Sequence, residues 1–210
     1  MPNHTKTISI GEHRLVGDLC RVPRASGLVV FAHGSGSSRL SGRNRQVAQS
    51  LQQRGLDTLL FDLLTEEEAA NRDNVFDIEL LAARVGEALD AVDGRVPAQR
   101  IGLFGASTGA AAALVAAARR PDVAAVVSRG GRPDLARAAL PDVRAPTLLI
   151  VGAADVEVLA LNREAYAQMR CEKRLEIVPR ATHLFAEAGA LETVAILAGD
   201  WFVRHLGAAQ

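Results

Sequence analysis

The chain has 210 residues, of which 49% are apolar, with Lys+Arg and Asp+Glu equal at 24 each. That length fits a single domain over residues 1–210, and the balanced charge creates no bulk field favouring nucleic acid or an anionic membrane. No apolar run approaches the ~20 residues needed to cross a bilayer, and Met1 to Ile10 carries neither the apolar core nor the cleavage signal of a secretory leader. Cys20 and Cys171 lie far apart without ligand spacing and read as two reduced thiols of a cytoplasmic protein.

In chain order, Thr5–Ile10 and Arg14–Val22 predict an opening antiparallel hairpin that turns at Gly11-Glu12-His13. Leu28–Ala32 is wholly apolar, as in a strand buried on both faces. A Gly/Ser-rich loop follows, then a helix from about Asn44 to Arg54, stopped by Gly55. Thr58–Phe61 is the next strand. An acidic loop from Thr65 to Asn74 leads to a helix marked by Ile78, Leu81, Val85, Leu89 and Val92. Arg100–Phe104 predicts a strand that runs directly into an Ala-rich helix ending at Arg120. Val123–Val127, Thr147–Val151 and Arg174–Val178 complete the strands, with a short helix around Asp134–Leu140 between the first two. A last helix carries Leu191, Val194, Ala198 and Trp201. This alternation predicts an α/β fold with a largely parallel sheet.

The strongest chemical signal is Gly105-Ala106-Ser107-Thr108-Gly109 between a strand and a small-residue helix. A nucleophile elbow needs a serine on such a turn, flanked by residues small enough for strand and helix backbones to meet. His33-Gly34-Ser35-Gly36-Ser37-Ser38 follows an earlier buried strand. There the backbone N–H of Ser35, or next that of Gly36, pairs with the N–H of Thr108 as donors to a tetrahedral oxyanion. A dinucleotide loop is excluded because Arg39 stands where a third Gly is needed. His33 reads as a residue that orients the loop.

Asp155 follows the strand Thr147–Val151 and can orient a histidine; at that place it can equally cap a helix. Glu157 and Asp62 are the rival acids. Of the five histidines, only His183 follows the last strand, on the edge where Ser107 and Asp155 emerge. The order Ser, Asp, His after successive strands selects it as the base.

These segments, in this order, resemble the α/β-hydrolase superfamily over essentially the whole chain. Gly152 to Val158, Ala181-Thr182-His183-Leu184-Phe185, His33–Arg39, Phe61–Thr65 and Ser128–Leu135 are most similar to its dienelactone-hydrolase-like group. The resemblance implies an eight-stranded, mostly parallel sheet with helices on both faces and the first two strands antiparallel to their neighbours. It also implies hydrolysis of an ester or lactone through an acyl-enzyme. Dienelactone hydrolases carry a cysteine nucleophile, whereas position 107 is serine, which points away from dienelactone itself. Only Ser128 to Ala145 separates two strands where lipase-like relatives insert a lid, so no large lid is expected.

The expected function is therefore a small-molecule serine esterase or lactonase. Acyl transfer on the same residues, or a non-catalytic binding protein, are the competing readings. The chemistry calls for no metal or organic cofactor and no macromolecular partner; a homodimer stays open. Gly36, Arg43 and Arg129 are candidates to bind substrate, the arginines through a carboxylate. Arginines in such loops, Arg132 included, otherwise pair with local acids such as Asp62 or Asp134.

Overall fold

A computed structural model of the chain describes residues 4–93 and 100–207; the first three residues of the N-terminal stretch lie outside them. The strands are β1 (His4–Ile10), β2 (Leu15–Arg21), β3 (Gly27–Ala32), β4 (Leu56–Phe61), β5 (Arg100–Ala106), β6 (Val123–Arg129), β7 (Thr147–Gly152) and β8 (Lys173–Val178). They form one sheet in the order β1-β2-β4-β3-β5-β6-β7-β8. β2 is antiparallel to both β1 and β4, and every pair from β4 to β8 is parallel. His4, which reads as tail in the sequence, opens β1 opposite Arg21.

Every residue of β3, β4 and β7 is buried. Helices on both faces cause this, and it explains why these strands appear as continuous apolar runs. On one face pack α4 (Ile78–Val92), α5 (Thr108–Arg119) and a 3-10 stretch (Pro133–Asp142); on the other pack α1 (Gly42–Gln53) and α7 (Ala190–Leu206). Leu81, Val85, Leu89 and Val92 of α4 are buried as their spacing predicts. α5 is buried from Thr108 to Ala117. Alanine suits it there, because a helix covered on all sides by sheet and helices has room for little more than a methyl group.

Two parts of the sequence reading need correction. The acidic segment after β4 is not a loop but two short helices, α2 (Glu66–Ala70) and α3 (Arg72–Phe76). They bury no residue, so no apolar period marks them. Their start is a capping box, with Glu68 N–H donating to Thr65 Oγ1 and Thr65 N–H to Glu68 Oε2. The sequence reading also lacks α6 (Val156–Gln168). Its buried side includes Asn162, whose Nδ2 donates to the carbonyls of Gly131 and Val158. A polar side chain inward and Val156 outward hide the helical period.

No described helix is long and apolar enough to cross a membrane. Cys20 and Cys171 are both free thiols.

Candidate active site

The site forms where β3, β5, β6, β7 and β8 end on one edge of the sheet. β5 passes into α5 through a single residue, Ser107, at φ 51 and ψ −123. This is strained backbone for a residue with a Cβ, costing on the order of 1–3 kcal/mol. The flanking glycines are needed sterically. A Cβ on Gly105 would lie 2.4 Å from Ala110 Cα, and one on Gly109 would lie 2.3 Å from the Ala32 carbonyl oxygen. Ser107 N–H donates to the Arg129 carbonyl, and its own carbonyl accepts from Ala110 and Arg132 N–H. The turn is thus held from both sides, which keeps the strained residue in place.

The loop after β3 lies directly against this turn. A Cβ on Gly34 would approach Ser107 Cβ to 2.9 Å, and Ser35 N–H donates to Thr108 Oγ1 at 2.9 Å. The two residues expected to bind an oxyanion are therefore adjacent. In this structure the Ser35 amide is already engaged by the Thr108 hydroxyl. His33 fixes the loop from below: Leu63 N–H donates to its Nε2, so Nδ1 carries the proton shared with the Gly34 carbonyl. Burial pushes the His33 pKa down, outweighing the Gly34 bond and the Asp62 charge that raise it. Neutral His33 therefore serves as a loop anchor.

Asp155 stands at the N-cap position of α6, but its side chain makes no cap bond. It accepts instead from His183 Nδ1 at 2.7 Å. Backbone bonds bring the two together, since Ala153 N–H donates to Val178 and Ala154 N–H to Ala181. With Nδ1–H held by the carboxylate, Nε2 is the ring nitrogen left to accept a proton. Glu157 is exposed in the first turn of α6. His183 Nδ1 is also 3.6 Å from where a Cβ of Gly130 would stand, and Ser107 bonds to Arg129 and Arg132 on either side of that glycine. Among the described residues no hydrogen bond joins Ser107 Oγ to His183. Such contacts are commonly loose without substrate and tighten when it binds.

The sequence reading missed Glu187. Its Oε1 accepts from both N–H and Oγ1 of Thr182 and so braces the turn that presents His183. Those bonds hold its carboxyl below its ordinary pKa. The readable signal was a Thr and a Glu five residues apart around the histidine.

Comparison with known proteins agrees with this architecture. Residues 57–209 match the family described as PET hydrolase-like. A dienelactone hydrolase from Anabaena variabilis is 55% identical, superposes with a TM-score of 0.92, and is matched over 98% of each chain. The chain belongs to the α/β-hydrolases, in their dienelactone-hydrolase-like group. An esterase domain from Rhodothermus marinus shares the fold at 20% identity and a TM-score of 0.77, with 99% of this chain and 100% of that one aligned. A Mycobacterium tuberculosis protein that carries a phosphoribosyl transferase name is 57% identical over 195 residues, or 91% of this chain. The chain spans 44% of the length of that relative.

The remaining candidates of this α/β-hydrolase fall into two groups. Asp62, the other strand-end acid, is bonded to the backbone and guanidinium of Arg39. Arg132 makes a bidentate pair with Asp134. These charges are spent locally. Arg129, by contrast, is buried at the end of β6 with its ring contact to Phe185, Cζ lying 5.9 Å from the centroid. Arg43 is exposed in the first turn of α1. Gly36, at φ 67, completes the turn closed by Ser37 N–H on the Gly34 carbonyl, and a Cβ there would meet nothing within 4 Å. Beside that turn opens a cavity of about 630 Å³, lined by Ser35, Gly36, Leu40, Leu63, Leu64 and Val75 among others. Its wall includes α2 and α3, while the span after β6 holds only the 3-10 stretch.

Proposed function

We propose that this chain is a cytoplasmic serine hydrolase of small esters or lactones, with residues 1–210 acting as one catalytic domain. Ser107 Oγ attacks the substrate carbonyl while His183 Nε2 takes its proton. Asp155 holds the ring in the required tautomer and stabilises the imidazolium. The tetrahedral oxyanion is bound by the N–H groups of Thr108 and Ser35, the Ser35 donor being released as the Thr108 hydroxyl rotates away. Collapse expels the alcohol, which receives the proton from His183. Water then attacks the acyl-enzyme by the same route in reverse and frees the acid and Ser107.

The observation that carries this reading is the Asp155–His183 bond at 2.7 Å on the edge where Ser107 is held at a strained φ of 51. The name of the Anabaena relative supports an ester or lactone as substrate. The cavity beside Gly36 offers space for one arm of it. The test is Ser107→Ala assayed against p-nitrophenyl acetate and a simple lactone. Loss of turnover to about background is expected, with the melting temperature kept. Retention of more than a tenth of the activity would remove Ser107 as nucleophile.

A further inference from the structure

One charge beside the site has no use in the hydrolytic steps. Arg129 is 7% exposed, and its Nε is buried without a partner. Among the described residues its guanidinium makes no hydrogen bond and no ion pair. β6 places it on the same face as Ala125 and Val127, which pack in the α1/α7 layer with Val47 and Leu51 of α1 and with Phe185. The side-chain charge that acts on it belongs to another cation, Arg43 in the first turn of α1. Burial first and Arg43 second push its pKa down to about 10, which still leaves it protonated at neutral pH. A buried cation without an acid, in the field of a second cation, is unfavourable unless an anion joins them.

The surroundings suit such an anion. The first turn of α1 is capped by Ser41 Oγ, which accepts from Asn44 N–H, but contains no acidic residue, so no carboxylate within that turn offsets the positive end of its dipole. Asp62 and Asp134 do not supply the missing partner, because Asp62 is paired with Arg39 and Asp134 with Arg132. Ser107 N–H donates to the Arg129 carbonyl, so this cation begins at the backbone that holds the nucleophile.

We propose that Arg129 and Arg43, with the N-terminal turn of α1, form an oxyanion subsite beside Ser107 that takes a phosphate or phosphonate group of the substrate. A planar guanidinium fork matches both carboxylate and phosphate oxygens. Two guanidinium charges and a helix end leave more positive charge than one carboxylate can neutralise, which favours the dianion. The placement on the substrate rests on the proposed hydrolysis; the anion site itself does not.

The experiment separates the two. Isothermal titration of the wild-type chain with inorganic phosphate, and with acetate at matched ionic strength, needs no turnover. One phosphate should bind per chain and acetate at least about tenfold more weakly. Arg129→Met and Arg43→Gln should each weaken phosphate by about tenfold or more, the loss of a charge-assisted bond. Arg43→Gln alters an exposed residue and stays informative if Arg129→Met does not fold. Then kcat/KM is compared for p-nitrophenyl butyrate, hemisuccinate and 3-phosphonopropionate. A rise in that order, through KM, supports the subsite. Phosphate binding that is absent, unchanged in both variants, or matched by acetate overturns it. Tight phosphate binding with no hydrolysis of any ester leaves the subsite standing and removes the hydrolase reading.

Discussion

Two buried arginines in this molecule are treated in opposite ways. Arg84 on α4 is 5% exposed at its side chain and donates to Glu68 at 2.6 Å, to Glu87 at 2.7 Å and to His13 Nδ1 at 2.6 Å. Its partners come from α2, from α4 itself and from the β1–β2 turn, so it ties three elements together. Arg129 is buried to a similar degree, ends β6 on the face of Ala125 and Val127, and among the described residues has no acid. Around Arg129 stand the strained Ser107 and the Asp155–His183 pair. The first region matches its cation with two acids of the chain and so serves stability. The second leaves its cation without an acid, which is the capacity the proposed anion subsite uses.

If that division holds, substitutions in the two regions should separate rate from stability. The largest effect belongs to the site edge. Asp155→Asn should lower kcat by up to ~10⁴-fold, because the amide favours the wrong imidazole tautomer, as in the serine-protease template. Its melting temperature should change little, since the Asp155 side chain caps no helix. Glu157→Gln should leave kcat within about threefold, because an exposed acid in the first turn of α6 meets nothing in the reaction. Steady-state kinetics on both variants that reversed these effects would move the orienting role to Glu157.

The cluster on α4 should respond in the opposite sense. Arg84→Met strands Glu68 and Glu87, which are 21% and 27% exposed. Removing one partner of a well-buried pair costs 3–5 kcal/mol; with the acids partly solvated, about 2–3 kcal/mol is expected from urea unfolding. The kcat on a neutral ester should not change. A loss of rate at unchanged stability would mean that this cluster transmits to the site and that the division is wrong.

The smallest effect concerns His33, which anchors the loop after β3 through Leu63. Its folded pKa is lowered, so below the usual imidazole pKa the unfolded chain binds a proton that the folded chain refuses. Stability contributed by neutral His33 is complete above about pH 6.5. It declines as pH falls toward the folded pKa, by at most ~1.4 kcal/mol per pH unit. Urea unfolding at pH 7.5 and 5.5 should show this decline in the wild type and a shallower one in His33→Gln. Equal slopes in the two proteins would contradict a neutral, buried anchor.

The legibility of the sequence follows the same division. β3, β4 and β7 are readable because both faces are covered, which makes their whole sequence apolar. Ser107 and its glycines are readable because a one-residue turn admits few sequences. α2 and α3 are not readable by period, since they bury nothing, and α6 is hidden by the inward Asn162. What no local pattern reveals is partnership across the fold. Arg129 ends β6 and Arg132 stands three residues on, yet among the described residues Arg132 finds Asp134 and Arg129 finds no acid. Likewise the Ser35 amide is identifiable as a donor, whereas its present acceptor, Thr108 Oγ1, is set only by the packing of β3 against β5.

The central claim is that the strained Ser107 is the nucleophile, and covalent labelling tests it most directly. A fluorophosphonate probe should modify the wild-type chain once, with peptide mapping placing the adduct on Ser107, and should fail to modify Ser107→Ala. An adduct on Ser35 or Ser37, or undiminished labelling of Ser107→Ala, would contradict the account.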